Sequence, residues 1–240
     1  VLLWPDTLNN YFHSETAEAA ADVLEAAGFD VRLPRKVLCC GRPLYDFGLL
    51  DRAKKLLLEI LNSLEYEIAS GTPIVVLEPS CASVFRDELL NLFPKDDRAE
   101  RLSRQVFLLS EFLEKNAPHF HPPQLPRKAI VHGHCHHKSI MKMTAQESLL
   151  QKMKVDYEMP AAGCCGMAGS FGFEHEKYDV SVAIGELELL PAVRNASADS
   201  LIIADGFSCR EQIEQCTGRK TMHLAEVIQL ALKNGNVSRL

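Results

Sequence analysis

The sequence has no long apolar run and no excess of positive charge. None of its apolar segments approaches the roughly 18 residues that a membrane-spanning helix needs, so we expect no transmembrane segment. The chain has 26 lysine and arginine residues and 32 acidic residues, for a formal net charge of -6. The phosphate backbone of a nucleic acid is negatively charged and binds basic proteins. The negative net charge of this chain therefore excludes nucleic acid as an expected partner.

The chain also lacks the patterns that mark several enzyme and targeting classes. Its first residues, Val1-Leu2-Leu3-Trp4-Pro5, include neither an initiator methionine nor the basic region of a signal peptide. We therefore predict a fragment of a longer cytoplasmic polypeptide, with a peripheral position at the inner membrane as an alternative. The sequence contains no dinucleotide fingerprint, Lys-Ser/Thr phosphate loop, Ser/His/Asp signature or pair of catalytic carboxylates, so we predict no catalytic residue in this chain.

Short apolar runs alternate with amphipathic segments along the chain. The runs at residues 73–77 and 200–204 are rich in valine, leucine and isoleucine and are typical of buried strands. Residues 51–70 carry apolar side chains at helical spacing and end at Gly71. This alternation predicts an α/β fold in which helices cover parallel sheets.

The order of strands, helices and cysteines occurs twice. A segment with four prolines, residues 116–128, separates residues 1–120 from residues 121–240. In each half an apolar strand precedes a Cys-Cys-Gly loop, and a later strand leads into Ser-Cys. We therefore predict two domains formed by the tandem duplication of a Rossmann-like unit, with pseudo-equivalent halves.

Seven of the eight cysteines fall in predicted loops or at strand ends, where parallel sheets collect their ligands. In a reducing cytosol such clustering indicates metal binding rather than a disulfide scaffold. The second half supplies the four thiols that a tetrahedral zinc ion or a [4Fe-4S] cluster requires: Cys135, Cys164, Cys165 and Cys209. Thiolates from distant loops favour the iron–sulfur cluster, and zinc remains possible in its place.

The first half offers only three thiols, at Cys39, Cys40 and Cys81. Cys135 precedes its Cys-Cys pair by 29 residues, and the same count back from Cys39 reaches Asn10. The first site is therefore either degenerate and structural, or occupied by a metal with an uneven ligand set. Cys216 has no counterpart and is predicted to be an ordinary helical thiol.

Glycines and histidines surround the second set of thiols. Gly163, Gly166 and Gly169 would let the backbone approach a cluster closely and direct N–H groups toward sulfur. Four histidines flank Cys135: His132, His134, His136 and His137. Because neighbouring side chains point in different directions, at most one or two of them could bind a metal. Hydrogen bonding around the site or exposure on a loop is the favoured alternative.

The doubled Cys-Cys-Gly units with a later Ser-Cys resemble the cysteine-rich (Cys-Cys-Gly) domain family. That family includes the heterodisulfide reductase subunit named B, the iron–sulfur subunits of glycolate oxidase and anaerobic glycerol-3-phosphate dehydrogenase, and lactate-utilisation proteins. Four segments are more closely similar to the C-terminal part of bacterial FAD-linked oxidases of the D-2-hydroxyglutarate, D-lactate and glycolate dehydrogenase type: residues 39–48, 77–81, 132–138 and 205–211.

The resemblance implies an iron–sulfur electron-transfer domain of an FAD-dependent 2-hydroxyacid oxidoreductase. FAD and ferredoxin-like clusters would lie in upstream domains of the same polypeptide, and electrons would pass to an acceptor such as a quinone. The heterodisulfide reductase protein has Cys-x-x-Cys where this chain has Glu78-Pro79-Ser80-Cys81 and Gly206-Phe207-Ser208-Cys209, which favours electron transfer over disulfide cleavage. A structural zinc-binding interaction module and a thiol/disulfide reductase are the alternatives.

Overall fold

A computed structural model describes residues 1–237. The chain divides into two compact units, one spanning Val1–Phe120 and the other beginning at His121. Each unit contains a three-stranded parallel sheet with helices around it. The predicted duplicated α/β fold is therefore confirmed.

The first sheet consists of three short strands in the order β1-β2-β3. They are β1 (Leu2–Trp4), β2 (Ile74–Val76) and β3 (Val106–Leu108). All their residues are buried except the half-buried Phe107, as expected for a parallel sheet covered on both faces. Arg32 adds a single parallel bridge to Leu2 on the outer side of β1.

Nine α-helices surround the first sheet: α1 (Thr7–Tyr11), α2 (Ser14–Ala26), α3 (Arg42–Asp46), α4 (Leu50–Ser63), α5 (Glu65–Ser70), α6 (Pro79–Ser83), α7 (Leu89–Leu92), α8 (Asp97–Gln105) and α9 (Leu109–Asn116). A π-helical segment, Val84–Glu88, joins α6 to α7. The single helix predicted over residues 51–70 is divided at Leu64, whose φ of -104° and ψ of 20° end α4.

The second sheet has the order β5-β4-β6, with β4 (Lys128–His132), β5 (Asp156–Glu158) and β6 (Leu201–Ala204). Met222 adds a parallel bridge to Ile203. Counting the bridging residues, both sheets have the same order of four chain segments: Arg32-β1-β2-β3 in the first unit and β5-β4-β6-Met222 in the second. The two units therefore share the strand order that a duplicated unit should have.

Five α-helices belong to the described part of the second unit: α10 (Thr144–Lys152), α11 (Tyr178–Gly185), α12 (Leu189–Asn195), α13 (Phe207–Thr217) and α14 (Leu224–Val237). A π-helical segment, His137–Met141, follows Cys135, and two 3-10 turns, Phe171–Phe173 and His175–Lys177, precede α11. Within residues 1–237, every helix is too short or too polar to cross a membrane.

Candidate metal centre

Three separate segments bring thiols to one edge of the second sheet. Cys135 begins the helical segment that follows β4, Cys164 and Cys165 lie in the loop after β5, and Cys209 lies in the first turn of α13, after β6. Since parallel strands end at the same edge, these segments meet beyond the carboxyl ends of the strands.

The four sulfurs form a connected group. The Cys165 thiol is close enough to the Cys164 and Cys209 thiols to interact with both. Cys135 is close enough to Cys164 for their charges to interact. Cys165 and Cys209 are buried, Cys164 is half-buried and Cys135 is exposed. The group therefore extends from the core of the unit to its surface.

Burial and mutual contact make the charged form of these thiols costly. Interaction with the Cys165 thiol, followed by burial, raises the pKa of Cys164 well above its usual range. Interaction with Cys164 favours the Cys165 thiolate, but interaction with Cys209 and burial outweigh this effect and raise the pKa of Cys165 strongly. The protein atoms that surround the Cys135 sulfur, and then the charge of Cys164, raise the pKa of Cys135, although the residue as a whole is exposed. A bound cation would offset this penalty because it favours thiolate. The residues thus fit a positively charged centre.

The glycine-rich loop supplies a donor to one sulfur. Gly166 donates its backbone N–H to Cys164 Sγ at 3.3 Å. Its φ of 97°, and the 2.0 Å that would separate an added Cβ from the Ser181 carbonyl oxygen, leave room only for glycine. A Cβ on Gly163 would meet no described atom within 4 Å, and Gly169 has a φ of 66°. That these three glycines adjoin a cofactor stays a prediction.

Side-chain bonds tie the neighbouring segments to this loop. Lys138, which follows Cys135 by one turn, donates its ammonium to the carbonyl oxygens of Ala162 and Gly163. Ser208 Oγ donates to the Gly169 carbonyl oxygen at 3.5 Å. These contacts hold the loop of Cys164 and Cys165 against the segments that follow β4 and β6.

The histidines around Cys135 are mostly interior. His132, His134 and His137 are 3%, 7% and 0% exposed, so the expectation of a solvent-facing loop is wrong for these three. His136 donates its backbone N–H to His134 Nδ1 at 3.2 Å, and His134, Cys135 and His136 place potential ligand atoms within 4.8 Å of one another.

His132 lies beside the buried pair of sulfurs. One ring nitrogen of His132 and the Sγ atoms of Cys165 and Cys209 all lie within 4.8 Å of one another. Burial, and then the charges of Lys138 and His134, lower the pKa of His132 to about 3, so the ring is neutral. Sequence reasoning did not place His132 in the predicted metal site; its position at the end of the central strand was the available signal.

The first unit contains a shorter series of thiols. The thiols of Cys39 and Cys40 are close enough to interact, and Cys40 Sγ lies 2.9 Å from Cys81 Sγ. The bond with Cys40 favours the Cys81 thiolate, but burial and the carboxyl groups of Asp6 and Glu78 raise the pKa of Cys81 to about 11. Three thiols therefore converge here too, beside acidic rather than imidazole groups.

The comparisons with known proteins agree with this duplicated arrangement. A family model described as a cysteine-rich domain (CCG) matches residues 6–86 and matches again at residues 131–214. The two ranges together cover more than half of the chain. The chain belongs to the CCG cysteine-rich domain family.

Curated relatives align with nearly the whole chain. In Escherichia coli K12, the anaerobic glycerol-3-phosphate dehydrogenase subunit named C is 28% identical over 228 residues, covering 93% of this chain and 57% of that protein. Lactate utilization protein A of Bacillus licheniformis is 29% identical over 243 residues, covering 95% of this chain and 98% of the relative. D-2-hydroxyglutarate dehydrogenase of Pseudomonas putida is 26% identical over 230 residues, covering 95% of this chain and 22% of that protein. This CCG chain is thus related to parts of dehydrogenases, and it spans just over half of the first relative.

Strand register identifies equivalent positions in the two CCG units. Trp4 ends β1 opposite Val76, and His132 ends β4 opposite Ala204. Val76 and Ala204 each precede the Ser-Cys cysteine of their unit by five residues. Trp4 of the first unit is therefore the counterpart of His132.

The residue that replaces Cys135 in the first CCG unit is a threonine. Two residues follow β1 and β4 before the next helical segment begins, at Thr7 and at Cys135 respectively. The sequence count had pointed to Asn10; it was wrong because the first unit has three more residues between this position and its Cys-Cys pair. The Thr7 side chain is close enough to Cys39 to lower its pKa slightly, so the first unit has a hydroxyl at the position where the second unit has a thiol.

Proposed function

We propose that this chain is an electron-transfer domain that holds a [4Fe-4S] cluster in its second unit, bound by Cys135, Cys164, Cys165 and Cys209. The observation that carries the proposal is the convergence of four thiols from three separate strand ends. Such a cluster, when bound, accepts and releases electrons one at a time. The identity of the metal centre as a [4Fe-4S] cluster is part of the proposal, because a zinc ion also binds four thiolates.

The residues around the thiols suit this role. Burial of Cys165 and Cys209 limits the access of water to the inner side of the site. The N–H of Gly166 points at Cys164 Sγ and would stabilise the added negative charge of a reduced state. Because Cys135 is exposed, an electron donor or acceptor could approach the outer side closely.

We further propose that the complete protein is an FAD-dependent 2-hydroxyacid oxidoreductase. The similarity to D-2-hydroxyglutarate dehydrogenase and to lactate utilization protein A supports this substrate class. In this proposal the flavin and ferredoxin-like clusters occupy other domains of the polypeptide, and a quinone or similar acceptor takes the electrons. Residues 1–120 and 121–240 would each be one CCG repeat of a cytoplasmic protein, free or peripheral to the inner membrane.

A structural zinc site is the second candidate, and the sulfur spacing favours it. The sulfurs of Cys165 and Cys209 lie within 4.8 Å of each other. Two thiolates bound to one tetrahedral ion at about 2.3 Å would lie about 3.8 Å apart, and thiolates on different irons of a cluster would lie farther apart. A single ion would thus need less movement of these side chains.

The test compares Cys209→Ser with Cys216→Ser after reconstitution with iron and sulfide in the absence of oxygen. Cys216 lies on the same helix as Cys209 and packs against the same apolar cluster, which makes it a matched control. The wild-type protein and Cys216→Ser should bind iron and sulfide, absorb visible light and give an EPR signal after reduction. Cys209→Ser should lose most of the bound iron.

Two results would contradict the proposal. Uptake of zinc without iron or sulfide would support the structural alternative. Equal iron content in both variants would show that Cys209 is not a ligand.

A further inference from the structure

One buried polar atom beside the sulfurs has no partner. His132 Nε2 is inaccessible to solvent and has no hydrogen-bond partner among residues 1–237. Buried polar groups in folded proteins are almost always paired, so an orphaned nitrogen in the interior calls for an explanation. A metal ion bound to His132 Nε2 would provide the missing partner.

The surroundings of His132 are those of a ligand set. A ring nitrogen of His132 and the sulfurs of Cys165 and Cys209 lie within 4.8 Å of one another, and all three residues are buried. Donors bound to one ion at about 2.0–2.3 Å stand roughly 3.4–3.8 Å apart in a tetrahedral arrangement. Small side-chain movements would therefore bring the three donors onto one metal ion.

The first unit provides an internal contrast. Trp4 occupies the position of His132, and its Nε1 is likewise buried without a partner among the described residues. An indole N–H can donate a hydrogen bond but has no lone pair for a metal. The unit that lacks the fourth cysteine thus also lacks the imidazole, so both potential ligands occur together in the second unit.

We propose that His132 is a nitrogen ligand of the metal centre, beside Cys165 and Cys209. In a single-ion site the three residues would share one ion, and in a [4Fe-4S] cluster His132 would be an additional ligand on an iron that already carries one of these two thiolates. These three residues would form the buried side of a mixed nitrogen–sulfur site, and Cys135 and Cys164 would form its outer side. The inference rests on the proposed function for the location of the centre, but not for the identity of the metal.

Cobalt(II) is the probe for this ligand set, because its visible bands report nitrogen and thiolate ligands without iron or sulfide. Oxygen-free titrations would compare the wild-type protein with His132→Leu and with His175→Leu, a control on an exposed turn. His132→Leu should shift the visible bands of bound cobalt and weaken its binding at least about tenfold. His175→Leu should change neither.

Thermal unfolding without metal separates ligation from a structural role. Because His132→Leu removes an unpaired buried nitrogen, the metal-free variant should be as stable as the wild-type protein or more stable. A variant that loses both stability and cobalt affinity would contradict the inference, as would cobalt spectra that match the wild type.

Pulsed EPR of the reduced, iron-loaded wild-type protein needs no variant. With 15N-labelled histidine, a coupling to a metal-bound nitrogen should appear with the 15N pattern. An iron–sulfur signal without this coupling would overturn the ligand role of His132 and leave the proposed function standing. If cobalt binds through His132 in a protein that takes up no iron and sulfide, the proposed iron–sulfur function is wrong and the ligand role of His132 stands.

Discussion

Gly166 determines how the loop of Cys164 and Cys165 lies against α11. Its φ of 97° is readily adopted only by glycine, and a side chain there would overlap the Ser181 carbonyl oxygen. On the facing helix, a Cβ on Gly185 would come within 2.9 Å of the Cys165 carbonyl oxygen. The loop and the helix therefore approach each other backbone to backbone, which fixes the position of both thiols.

Replacing Gly166 should destabilise the protein. Gly166→Ala should lower the free energy of unfolding by at least about 1–3 kcal/mol, the usual cost of a strained backbone conformation. Urea denaturation of the metal-free protein measures this change. Gly163→Ala, in the same loop but with open space around it, should shift stability by less than about 0.5 kcal/mol. Equal effects of the two variants would contradict this account of the loop.

Some residues of the site could be predicted from sequence and others could not. The thiols of Cys135 and Cys209 follow apolar strands, and parallel strands bring their carboxyl ends to one edge. His132 could not be singled out among four neighbouring histidines, because its place depends on strand register. Thr7 was missed for a related reason: counting residues between motifs fails when the intervening loops differ in length.

At the scale of elements, an arginine and a glutamate join the last described helix of each unit to the helical segment at or directly after its Ser-Cys cysteine. Glu111, on α9, accepts bonds from both terminal nitrogens of Arg86 and from the Leu108 backbone N–H. In the second unit Glu226, on α14, accepts from the His223 N–H and lies 3.8 Å from Arg210. The glutamate caps its helix and holds the arginine in both units.

Loss of this glutamate should cost more than loss of an exposed one. Glu111→Ala removes a cap and a half-buried bidentate ion pair, so it should lower the free energy of unfolding by about 1.5–3 kcal/mol. Glu100→Ala breaks a largely exposed pair with Arg104 and should cost no more than about 0.5 kcal/mol. Urea denaturation of both variants is the measurement, and a larger loss for Glu100→Ala would refute the argument.

The elements themselves were predictable to different degrees. Strands β2 and β6 were correctly expected because the apolar runs at residues 73–77 and 200–204 are continuous. Strand β3 was missed, since its three residues directly join the end of α8 to the start of α9. Residues 178–195 form two helices, α11 and α12, with residues 186–188 outside both, and hydrophobic spacing alone does not reveal such breaks.

At the scale of the whole molecule, duplication produced two related groups of side chains that offer different potential ligands. The family model matches each unit once, and both sheets share one strand order. The second unit combines four thiols with a buried imidazole, whereas the first has three thiols, a threonine and a tryptophan at the matching positions. A cluster held by the four thiols of the second unit is therefore the central claim.

Anomalous diffraction at the iron edge tests that claim most directly, on crystals of the chain loaded with iron and sulfide without oxygen. The account predicts iron in the second unit, with ions at bonding distance, about 2.3 Å, from the sulfurs of Cys135, Cys164, Cys165 and Cys209. A second unit that contains zinc or no metal after this loading would contradict it.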